Sequence, residues 1–248
     1  MISQTLDGIE NSLDKIIEDL KIDQIINKDS ILSKEYFYHS LPQCVVDSIF
    51  SIGVRYSSTK NTVNNFSNYF EIPVYRKRNS KYILKQEQLS INNTIKVLSN
   101  FTHEETSKDI YKNFQRTSTK SGHLKSSVVF KFFKILKKFG INFYQDLDKL
   151  NNGEVFESFK NDIISLRGQS SGISFDYFLM LSGNNDFIKV DRMVRRFLVN
   201  NKIIGLNDKI SDVKKCFKLL LNEINNKISV KLNSRELDHL IWKYQSSK

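Results

Sequence analysis

The stretch Leu166–Leu198, LRGQSSGISFDYFLMLSGNNDFIKVDRMVRRFL, decides how the rest of the chain is read. It divides into a turn, a buried helix, a short loop and a second, basic helix. Gly168, Gln169, Ser170, Ser171 and Gly172 form a run dominated by small side chains, closed by Ile173. Such a run lets backbone N–H groups approach a ligand closely. Ile173, Phe175, Tyr177, Phe178, Leu179 and Leu181 give the following helix a wide apolar face. Asp191 then stands at the mouth of the basic helix, where the positive end of the peptide dipole favours an ionised carboxylate.

Upstream of this stretch, Phe143, Leu147, Leu150 and the span 155–164 lead through a turn and a helix into the small-residue run. The order helix, hairpin, helix therefore covers about 159–182. Further back, 117–125 is a polar, basic loop entering an amphipathic helix with Val128, Val129, Phe132, Phe133 and Leu136 on one side; Gly140 ends it. Lys125 at its start is either a phosphate ligand beside loop N–H groups or one of many lysines coating a helix.

The N-terminal part reads the same way. Ile2, Leu6, Ile9, Leu13, Ile16 and Leu20 recur at helical spacing. The aromatic run Tyr36-Phe37-Tyr38 suits a base-stacking surface or, the more common use, core packing. Pro42 sits in a first helical turn, with Val45, Val46, Ile49 and Phe50 on the buried face and a second helix through Thr62, Val63 and Phe66. The span 74–85 is basic, carries Tyr75 and Tyr82, and forms either a hairpin around Asn79-Ser80 or a loop. Helices are expected at 88–101 and 104–114, the second begun by Thr102 with Glu104 and Glu105. Beyond Leu198 two amphipathic helices cover 208–228 and 233–244, the last capped by Asn233 or Ser234 with Glu236 in its first turn. His239 and Trp242, the single Trp, are either pocket residues or ordinary terminal-helix side chains.

Composition bounds the partners. The chain has 248 residues and a net charge of +11, with a pI of 9.4, which favours an anionic partner. A chain without Ala and crowded with Lys, Asn, Ile and Ser also carries a compositional bias that raises Lys without selection for binding. Cys44 lies among Val45, Val46 and Ile49 and is expected to be a buried thiol; Cys216 is far from it. No grouping has zinc spacing, so no metal and no cofactor is expected. Residues 1–26 are amphipathic and charged, unlike a secretory signal or a membrane span. The expectation is a reducing cytoplasm and no membrane partner.

The Leu166 stretch resembles the helix-hairpin-helix (HhH-GPD) DNA glycosylases, the superfamily of endonuclease III and the adenine-mismatch glycosylases. That family's hairpin reads Leu-x-Gly-hydrophobic-Gly with a small residue four positions on; the matching residues are Leu166, Gly168, Gln169, Ser170 and Ser174. About twenty residues later the family carries Val-Asp, here Val190-Asp191. Gln169 and Ser170 depart from the pattern, and the position of the lysine used by lyase-competent members falls at or beside Gly172. Gly122, Lys125 and Ser126 look similar to another family segment, and 53–56 corresponds to the loop that probes the duplex. Two distant cysteines cannot supply the iron–sulfur loop of many relatives.

The resemblance implies an all-α, two-lobed fold with a DNA cleft between the lobes. A central lobe would run over 60–198, with an outer lobe from 1–59 and 199–248. It implies a monomer acting on double-stranded DNA with a damaged or modified base, and a monofunctional glycosylase that excises the flipped-out base in repair or, given the departures, hypermodified phage bases in antiviral defence. Asp191 would be catalytic. Gly168–Ile173, Lys125 and Arg55 would contact DNA, and Tyr38, Tyr56, His239 and Trp242 would serve as base pocket or wedge. The alternatives are a bifunctional glycosylase/lyase and a non-catalytic DNA-binding protein.

Overall fold

A computed structural model describes residues 2–25, 27, 29, 31–77, 82–119 and 122–248. The chain is all-α: among the described residues no strand forms, and the extended pairing consists of two isolated antiparallel bridges, Tyr38 with Tyr75 and Arg116 with Leu124. The helices are α1 (Ile2–Asp19), α2 (Leu41–Phe50), α3 (Tyr56–Tyr69), α4 (Ile91–Leu98), α5 (His103–Glu105, continuing as a π-helix over Thr106–Tyr111), α6 (Lys125–Lys138), α7 (Gly153–Ile164), α8 (Ile173–Leu181), α9 (Arg192–Asn200), α10 (Ile210–Lys227) and α11 (Ser234–Ser246).

Local chemistry sets most of these boundaries. Ser40 and Gln43 close a capping box at α2, with Pro42 in its first turn. Thr102 with Glu105 does the same for α5, and Asn233 with Glu236 for α11. Each box satisfies N–H groups that the first helical turn leaves open. Gly140 ends the α6 segment at a φ of 68°, a conformation that costs glycine little. Tyr75 bridges back to Tyr38, where the His39 amide donates to the Val74 carbonyl at 3.1 Å and the Arg76 amide to the Phe37 carbonyl at 2.8 Å. The hairpin turn expected at Asn79-Ser80 lies outside the described residues.

The chain divides into two compact units, Met1–Ser33 with Gly183–Lys248, and Lys34–Ser182. In the first unit α1 packs on α10 and α9 on α11, around Ile9, Ile16, Phe197, Leu198, Phe217, Leu220, Leu237 and Ile241. In the second, α2 is buried along its whole length and packs against α3, α6 and α8. Phenylalanines fill its interior: Phe132 and Phe178 lie 5.0 Å apart by ring centroid, and Phe159 and Phe175 5.8 Å, each burying enough apolar area to contribute on the order of 2 kcal/mol.

These boundaries differ from the expected breaks after 59 and after 198. The helix α2 is the buried axis of the second unit and cannot belong to a lobe without it. The span 183–198 carries Ile188, Val190, Val194, Phe197 and Leu198 into the core of the first unit. Asp191 therefore belongs to the first unit and the hairpin to the second. No helix among the described residues is long and apolar enough to cross a membrane.

Candidate functional site

In the first unit, Asp191 is the N-cap of α9 in extended conformation. Its Oδ1 accepts from the Met193 amide at 2.8 Å and the Val194 amide at 3.3 Å. Oδ2 accepts no hydrogen bond among the described residues, and the side chain is half-buried. The carboxylate is thus fixed by one oxygen and by the helix dipole, with the second oxygen left to act on something else. Of the arginines behind it, Arg195 donates to the Asp208 carbonyl at 2.9 Å and Arg196 to Gln245 Oε1 at 2.5 Å; Arg192 is exposed.

A residue that sequence reasoning passed over stands beside it. Asp238, on α11, is buried, and its Oδ1 accepts from the Lys189 amide at 3.1 Å. Burial pushes its carboxyl well above the usual carboxylate range, the charge of Asp191 pushes the same way, and the Lys189 amide and ammonium pull against both. The sequence did carry a signal: one carboxylate among Leu237, Leu240 and Ile241 on an otherwise inward face. His239 and Trp242 lie on the same helix, stacked with ring centroids 5.7 Å apart. His239 is buried.

In the second unit α7 ends at Ser165 and the hairpin turns through Leu166–Gly172 into α8. The Gln169 amide donates to the Leu166 carbonyl and the Gly172 amide to the Gln169 carbonyl, both at 2.9 Å. Gly168 and Gly172 have φ of 78° and 73°, where a Cβ is strained. At Gly168 a Cβ would also come within 2.7 Å of the Thr117 side chain. The two departures from the family pattern have local reasons. Ser170 is not among the left-handed residues, which sit at Gly168 and Gly172, so glycine is not required there. Gln169 turns its side chain inward, where its Oε1 accepts from the buried Ser174 hydroxyl; the polar replacement carries its partner five residues on. Gly168, Ser170 and Ser171 are exposed, and the Ser170 and Ser171 amides reach no acceptor among the described residues.

Lys125 corrects one expectation. Its ammonium is buried and donates to the carbonyls of Phe50 at 3.0 Å and Ile52 at 2.8 Å and to Gln115 Oε1 at 3.1 Å. It closes the C-terminal end of α2, where a cation meets both orphan carbonyls and the negative end of the dipole, and it is sealed from phosphate. Arg55 is exposed, at the residue before α3.

Tyr38 and Tyr56 come together on a residue the sequence did not single out. Asp47, fully buried on α2, accepts at Oδ2 from the hydroxyls of Tyr38 at 2.7 Å, Tyr56 at 3.3 Å and Tyr177 at 3.4 Å. Burial first and the Asp47 charge second hold the phenols of Tyr38 and Tyr56 well above the ordinary tyrosine value, so both keep the protons they donate. Tyr75 stacks on Tyr38 at 5.5 Å. A single acidic residue within LPQCVVDSIFS was the available signal, because an isolated buried carboxylate requires donors from elsewhere. His39, next to Tyr38, has its imidazole lowered chiefly by burial.

A family model described as Domain of unknown function (DUF8548) matches residues 15–246, and the chain belongs to that family. No curated protein and no solved structure matches the chain significantly.

Proposed function

We propose that this member of the DUF8548 family is a monofunctional DNA glycosylase that hydrolyses the N-glycosidic bond of a flipped-out, damaged or modified base. In this reading the two units are the two lobes of the helix-hairpin-helix glycosylase fold. The chain acts as a monomer on double-stranded DNA in the cytoplasm, without a cofactor. The observation that carries it is Asp191: a half-buried carboxylate fixed by one oxygen at a helix N-terminus, in a Val-Asp pair about twenty residues after the Gly168 hairpin, as in the family it resembles.

The chemistry follows from that geometry. A duplex hides its glycosidic bonds, so the nucleotide is rotated out at a cost of a few kcal/mol. The exposed amides of Ser170 and Ser171 and the N-terminus of α8 suit a phosphate and anchor the backbone without reading sequence. Departure of the base builds positive charge on the sugar. The open oxygen of Asp191 stabilises that charge and orients the attacking water. The position of the Schiff-base lysine falls at or beside Gly172, so borohydride is expected to trap no protein–DNA adduct.

The test is a panel of modified duplexes, including glucosylated hydroxymethylcytosine phage DNA, scored for abasic sites by alkaline cleavage. Asp191→Asn keeps a good helix cap and is expected to retain DNA affinity while base release falls by about 10²- to 10⁴-fold. Undiminished excision by Asp191→Asn removes the mechanism. A second reading, a non-catalytic DNA-binding protein, is favoured by the capping bonds alone: a carboxylate serving only α9 would look the same at Oδ1. It predicts salt-dependent DNA binding with no abasic product from any substrate.

A further inference from the structure

We propose that Asp238 is the positioning residue for Asp191: a carboxyl group buried on α11 that fixes the Lys189–Asp191 turn by accepting the Lys189 amide. The inference rests on the glycosylase reading for its consequence in catalysis, and on the geometry of the first unit for itself.

The two carboxyl groups have different surroundings. Asp191 receives two amides at the start of α9 and is half-open to water. Asp238 is 4% exposed and receives one amide, which does not compensate a buried charge. The charged groups that act on Asp238 are Asp191 and Lys189. On its own helix Arg235 is engaged by Asn185 at 3.2 Å and His239 lies against Trp242. What α10 turns into this core is apolar: Val213, Phe217, Leu220 and Ile224. A buried carboxyl with one amide donor, and with the charge of Asp191 acting on it, holds its proton above the ordinary carboxylate range.

The sign of the pH effect follows. The folded chain keeps a proton on Asp238 that the unfolded chain releases in the ordinary carboxylate range. Stability linked to Asp238 is therefore fully present below that range and lost as pH rises toward the raised value. Asp238→Asn keeps an acceptor for the Lys189 amide and removes the ionisation. Melting of the full-length wild-type chain and of Asp238→Asn is compared from pH 4 to pH 8. The wild type is expected to lose at least about 3 °C relative to the variant over that range, with the variant no less stable at pH 8. Parallel curves overturn the proposal. Should Asp238→Asn fail to fold, the carbon-13 shift of the Asp238 carboxyl in the wild type decides: a midpoint well above the usual carboxylate range supports the proposal, and an ordinary midpoint overturns it.

Where base release is measurable, Asp238→Asn is expected to leave the acid limb of the pH–rate profile in place and to remove the alkaline decline; an unchanged alkaline limb counts against the positioning role. Absence of base release in every variant sinks the glycosylase reading and leaves the melting result standing. Parallel melting curves with an active wild type and an inactive Asp191→Asn do the reverse.

Discussion

The two units each hold a carboxylate at a strategic helix, and they treat it oppositely. Asp47 in the second unit is met by side-chain hydroxyls: three tyrosines from three separate segments converge on one oxygen. Asp191 in the first unit is met by backbone amides on one oxygen and by another carboxyl group, Asp238, behind it. Hydroxyl donors brought in from packed side chains surround a buried charge and offset it. Amides of a helix terminus are fixed, and a neighbouring acid adds repulsion instead of compensation. The first arrangement builds structure; the second leaves one oxygen of a half-buried carboxyl without a hydrogen bond among the described residues.

This contrast can be broken at several points. The largest effect is expected at Asp47→Ala, which strands the phenols of buried Tyr38 and Tyr177 and of half-buried Tyr56 and opens the axis helix. A loss of about 3–5 kcal/mol in urea unfolding is expected, and a loss below 1 kcal/mol would show that the tyrosines do not need the carboxylate. Next is the hairpin turn of the second unit, the proposed phosphate contact. Gly168→Ala combines a left-handed φ with a clash against Thr117 and is expected to cost about 2 kcal/mol and to weaken DNA binding with it; retention of both would remove the hairpin from the reading. The smallest is Tyr177→Phe, which withdraws the longest of the three hydroxyl bonds and is expected to cost about 1 kcal/mol or less. A cost equal to that of Tyr38→Phe would mean that the three donors are equivalent, contrary to their distances.

What the sequence made legible is what is decided within one helical turn. Pro42, Thr102 with Glu105, Gly140, Asp191 and Asn233 with Glu236 all mark real boundaries, because a cap and its partners lie three or four residues apart. Gly168 and Gly172 were readable as turn residues for the same reason. Gln169 and Ser170 stand where the resemblance expects an apolar residue and a glycine; the Ser174 hydroxyl donates to Gln169 Oε1, and Ser170 is not left-handed. Lys125, Asp47 and Asp238 could not be read in this way. Two of the three acceptors for Lys125, the Phe50 and Ile52 carbonyls, lie more than seventy positions away, and Tyr177 reaches Asp47 across 130 positions. The same limit moved the boundary between the units: which core α2 and 183–198 join depends on packing partners distant in the chain, and their apolar periodicity is silent about it.

The burial of Lys125 carries a consequence for reading the chain's electrostatics and its motion. A formal charge of +11 counts an ammonium that no polyanion in solution can neutralise, so the number of counterions displaced on binding is set by a smaller set of basic groups than the formula suggests. The same amine is a built-in reporter. An acylating reagent reaches it only when the end of α2 lifts away from α6, and the rate at which Lys125 is modified would clock the opening of that core.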